Sequence, residues 1–113
     1  MPHVVIQDPP DLAEYHRSFT PWKDSGPVGC RIQAKGAYLR HDGNTVLVEV
    51  TVLELGPATD FFVTVEHKKS QVTVRVFPFP SPARTPGVHA AVASVAKSVL
   101  AHGGVVEKTN LEL

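Results

Sequence analysis

Across its middle the chain alternates apolar and polar residues with a period of two. Val46, Val48, Val50 and Val52 fall on one side of that pattern, then Phe61, Val63 and Val65, then Val72, Val74 and Val76. Alternation of this kind marks strands with one buried face. A further strand is read ahead of them, over residues 30–40. Three turn signals separate the pieces. His41-Asp42-Gly43-Asn44 carries the Asp-Gly pair that favours a tight hairpin, Leu55-Gly56-Pro57-Ala58-Thr59-Asp60 is a longer turn, and His67-Lys68-Lys69-Ser70 is a short polar one. Residues 30–77 are therefore predicted to form an antiparallel meander of four strands.

Turn positions imply registers. An Asp42-Gly43 turn sets Leu39 opposite Val46 and Ala37 opposite Val48, but would put Ala34 and Ile32 on the wrong face. One extra residue near Gly36 restores the phase, so a β-bulge is expected there. With Lys68 and Lys69 central in their turn, Val65 lies opposite Val72, Val63 opposite Val74 and Phe61 opposite Val76. On the other face the same reasoning puts Thr51 opposite Phe62, Glu49 opposite Thr64 and Phe62 opposite Arg75.

Helical spacing replaces alternation on either side. Val4-Val5-Ile6 reads as a short strand. Asp8 followed by Pro9 and Pro10 resembles a capped helix start, and Leu12, Tyr15 and Phe19 then recur at helical intervals, predicting a helix over 9–19. Residues 22–29 read as loop. Alternate prolines after Phe77 exclude both ladder and helix, so residues 78–85 are a rigid connector. Thr85 as a cap and Pro86 in the first turn open a helix over 86–102, with Val88, Val92, Val95 and Val99 in a stripe flanked by Ala91 and Ala96. Gly103 ends it. Residues 105–113 alternate again and are assigned a fifth strand, expected antiparallel beside the first strand of the meander. The fold class that follows is α+β in two layers, with the C-terminal helix across the valine face. The predicted core is Ile32, Val48, Val50, Val63, Val65, Val74, Val92, Val95 and Val99.

Composition narrows the function classes. The 113 residues suit one domain, and 42% of them are hydrophobic, which argues against disorder. Eleven basic residues balance eleven acidic ones, so no bulk field draws the chain to nucleic acid or to an anionic membrane. The single Cys30 cannot form an internal disulfide, which suits a reducing, cytoplasmic compartment. No apolar run approaches the roughly 20 residues of a membrane span, and the N-terminus does not resemble a signal peptide.

No nucleophile elbow, phosphate-binding loop, dinucleotide fingerprint or zinc-ligand spacing occurs, so no cofactor or metal is expected. Cys30 reads as a buried structural thiol, and Arg31, Lys35 and Arg40 as charges protecting a sheet edge. The informative feature is the sheet face away from the helix. Leu47, Glu49, Leu53, Phe62, Thr64, Arg75 and Phe77 should share it, making it too apolar for free solvation and too polar for a second core. The N-terminal helix is expected to fold over this face, which would bring Tyr15 and His16 to it. A homodimer interface and a ligand or peptide surface are the other two readings. The expected function is a protein- or ligand-binding module acting through that face, as a homodimer or with another protein partner. The alternative is a small enzyme with an acid/base site between the N-terminal helix and the sheet, built on His16, Tyr15, Glu49 and Arg75.

Overall fold

A computed structural model of the chain describes residues 2–54, 56, 58–79 and 81–113. Parts of two expected features, Leu55 and Pro57 of the long turn and Pro80 of the connector, lie outside the described residues. The elements in chain order are β1 (His3–Gln7), α1 (Leu12–Arg17), β2 (Trp22–Ser25), β3 (Arg31–Leu39), β4 (Thr45–Leu53), β5 (Thr59–Lys68), β6 (Gln71–Val76), α2 (Pro86–Leu100) and β7 (Val105–Thr109).

The expected fold class is corrected at this level. Among the described residues the protein is mostly sheet: seven strands, all antiparallel, in the order β2-β3-β4-β5-β6-β1-β7, curled into a half-barrel around one long helix. The meander β3 to β6 is present inside it. β1 pairs with β6 on one side and β7 on the other, and β2 extends the opposite edge along β3. The last strand therefore lies beside β1, not beside β3. β3 is already occupied from Arg31 to Ala34 by β2. The residues of β2, Trp-Lys-Asp-Ser, carry no apolar alternation, and of the four only Trp22 packs against the core.

Strand twist and two bulges account for the curl. The β3–β4 register shifts between Ala34 and Gly36, at the expected bulge, and β1–β7 shifts between Val5 and Ile6. The pairs Leu39 with Val46 and Ala37 with Val48 form as expected. The two later hairpins are each displaced by two residues. Val65 faces Val74 and Val63 faces Val76, while Glu49 faces Phe62 and Thr64 faces Arg75. A displacement of two preserves the face, so every valine still points inward.

The nine predicted core residues are all at most 2% exposed. α2 supplies Val88, Val92, Val95 and Val99 with Ala91 and Ala96, all buried against the sheet. Thr85 caps it, its Oγ1 accepting the Val88 N–H at 3.2 Å while donating to the Glu54 carboxylate. The helix meets its strands closely at Gly87, where a Cβ would overlap that carboxylate and come within 2.7 Å of Val52 Cγ1.

α1 is shorter than expected and starts later. Asp8 is left-handed (φ 50°), and Pro10 disfavours a helical Pro9, so Asp11 becomes the cap and accepts the Ala13 N–H at 3.0 Å. α1 also lies on the valine side of the sheet, next to α2. Leu12 and Tyr15 enter the main core, and Tyr15 shares a 2.7 Å hydroxyl–hydroxyl hydrogen bond with Ser98. Nearby, Trp22 Nε1 donates to Ser94 Oγ at 2.9 Å, and Ser94 donates to Asp24 at 3.0 Å. These bonds fasten β2 and α1 to α2.

Candidate functional site

With α1 and α2 both on the valine side, neither covers the opposite face of the sheet. Leu47, Glu49, Phe62, Thr64, Arg75 and Phe77 come together there, as the alternation requires, and Leu53 sits at one end. Tyr15 and His16 do not join them. Tyr15 is buried beneath α2 and His16 stays on α1, so the expected cleft uniting them with Glu49 and Arg75 does not form.

The face also holds residues that the outer-face register did not include: Lys35, Tyr38 and Asp60. The Gly36 bulge carried the signal for one of them. Gly36 opposes Glu49 and Tyr38 opposes Leu47, so following the bulge along the outer face would have found the tyrosine. Its ring meets Phe62 edge-on at 6.3 Å, and its hydroxyl donates to Glu49 Oε1 at 3.1 Å. Lys35 Nζ lies 3.6 Å from Glu49 Oε2 and 3.3 Å from Asp60 Oδ1. Thr51 Oγ1 donates to Asp60, and Thr64 Oγ1 donates to the Arg75 carbonyl at 3.0 Å. Arg75 reaches Glu66 Oε1 at 3.4 Å.

These contacts set the electrostatics. The hydrogen bond from Thr51, then the hydrogen bond and charge of Lys35, hold the Asp60 carboxyl below its usual value. The bond to Glu49 and the charge on that carboxylate push the Tyr38 phenol up. Tyr38 therefore stays a neutral donor at physiological pH, and the Asp60 carboxylate stays ionised beside Lys35. The resulting surface is polar and carries both signs, Lys35 and Arg75 beside Glu49, Asp60 and Glu66, with threonine hydroxyls and aromatic rings between them. A general base on this surface would need a carboxylate or imidazole released from its partners.

Two hollows mark the ends of the face. One, of about 430 Å³, has Thr45, Leu47 and Thr64 in its lining, with Phe77 and Pro78 and with Arg40, Glu66 and Arg75. The other, of about 460 Å³, lies between β2 and β3 and reaches Leu53. Cys30 is away from both. It is buried, burial and then the charge of Glu54 push its thiol up, and its Sγ lies 3.9 Å from the Arg31 carbonyl. A thiol in that state is a poor nucleophile. Among the described residues no group of three or more His, Cys, Asp or Glu is placed to hold a metal ion, and no helix is long and apolar enough to cross a membrane. Compared with protein-family models, with curated proteins and with solved structures, the chain matches none.

Proposed function

We propose that this chain is a binding module that works as a homodimer through the sheet face opposite α2. The observation that carries the reading is that α1 packs on the valine side, leaving Leu47, Phe62 and Phe77 half-buried and Tyr38 54% exposed with neither helix over them. A contiguous surface of this kind costs free energy in water and favours a partner.

The charges favour a second copy as that partner. Lys35 lies between Glu49 and Asp60, and Arg75 beside Glu66, so the face carries both signs. A two-fold interface presents one patch to itself, and a patch of a single sign would repel its own image. The chain's formal net charge of +0 adds no long-range repulsion.

Sedimentation equilibrium of the parent protein and Phe62→Glu tests the reading. The parent should be dimeric at micromolar concentration. Phe62→Glu should be monomeric with an unchanged circular dichroism spectrum, because Phe62 lies outside the main core. A parent that stays monomeric overturns the dimer, and a dimer that survives Phe62→Glu overturns the choice of face.

A further inference from the structure

We infer that Phe79 is the anchor of this dimer, its ring seated in the second copy's hollow between Leu47, Thr64 and Phe77; the inference rests on the dimer reading above. Phe79 is 75% exposed, an unusual position for a phenylalanine. Its ring packs edge-on against Phe77, with centroids 5.8 Å apart. That contact holds it at the rim of the 430 Å³ hollow, yet it contributes nothing to the lining of the hollow in its own chain. An apolar knob thus stands beside a hole that it does not fill, one with Leu47, Phe77 and Pro78 in its lining.

Two further features fit an exchange between copies. A two-fold axis passing close to an adjacent knob and hole pairs them twice, each ring entering the other copy. The lining of the hollow includes Arg75 with Glu66, and Arg40, which pairs with Asp42 at 3.3 Å, so facing copies can interleave opposite charges. Pro78 fixes the backbone just before Phe79, so less freedom is lost when the ring is captured. A buried aromatic in an apolar pocket ringed by polar groups is the usual form of an interface hot spot.

Two measurements on the full chain decide it. Phe79→Ala should raise the dimer dissociation constant about 30-fold or more, while leaving the thermal midpoint unchanged at concentrations low enough that both proteins are monomeric, since the side chain is 75% exposed in one copy. In a mixed sample of labelled and unlabelled protein, isotope-filtered NMR should show contacts between the Phe79 ring and Leu47 methyls of different copies. If the parent dimerises and Phe62→Glu breaks the dimer but Phe79→Ala leaves it within about threefold, the anchor is wrong and the dimer stands. If the ring contacts Leu47 only within one copy, Phe79 fills its own hollow and the anchor is again wrong. A monomeric parent overturns both.

Discussion

At the scale of single residues, Tyr15 separates a structural group from a functional one. It recurs at helical spacing with Leu12, which marks a helix face but not which side of a sheet that face meets. In the fold it is 1% exposed, bonded to Ser98 and edge-on to the His102 ring at 5.5 Å. Burial, opposed only in part by the Ser98 hydrogen bond, pushes its phenol up from 10.0 to about 12. A raised folded value means that the unfolded chain loses its proton first. The contribution is therefore fully present below pH 10, and falls as pH rises from there toward 12. Roughly 2–3 kcal/mol should disappear over that window. Urea unfolding of the parent and Tyr15→Phe between pH 9 and pH 12 checks it. The parent should lose stability faster than the variant, and parallel curves would show that the phenol is not buried in solution. At neutral pH Tyr15→Phe should cost about 1 kcal/mol, one net hydrogen bond.

At the scale of elements, turns decide which partners meet. The β5–β6 hairpin closes through Lys69 and Ser70, one residue later than the Lys68-Lys69 centre expected, and this moves Val74 from Val63 to Val65. Neither register exposes a valine, so alternation could not choose between them. The observed turn holds Lys69 at φ 58°, where a side chain is disfavoured. Lys69→Gly should therefore stabilise the protein by about 0.5–1 kcal/mol, after glycine's greater freedom in the unfolded chain is set against the relief. A higher urea midpoint with an unchanged slope is the expected result. A lower midpoint would mean that the turn is centred elsewhere. The Gly36 bulge was legible because one inserted residue, unlike a displacement of two, turns Ile32 and Ala34 to the wrong face.

At the scale of the whole molecule, His3–Gln7 forms an interior strand. β1 is flanked on both sides, and its Val4 and Ile6 are fully buried. β7 is an edge, with Val105 65% exposed. Native-state hydrogen exchange should reflect that difference. The amides of Val4 and Ile6 should open only with the β4 core, at protection at least about tenfold above β7. Equal, rapid exchange in both would show that the N-terminal segment is not docked between β6 and β7. The same arrangement bears on the candidate interface. Because β1 closes one side of the meander and α1 turns to the valine layer, the face bearing Phe62 keeps neither helix as a cover.

Local physics was readable from the residues alone. Alternation assigned each valine of β4, β5 and β6 to the core, and the cap at Thr85 with Pro86 placed the start of α2, because side-chain direction and capping depend on near neighbours. For the same reason Leu47, Glu49, Phe62, Thr64, Arg75 and Phe77 were correctly placed on one face. The order of the strands, the edge strand β2, the seat of β7 beside β1 and the side taken by α1 were decided only by tertiary structure. Each depends on which distant surface a short segment buries itself against. A five-residue strand such as Val105–Thr109 carries too few alternating positions to name its neighbour, and an amphipathic helix of six residues fits either side of a sheet until the rest of the fold occupies one of them.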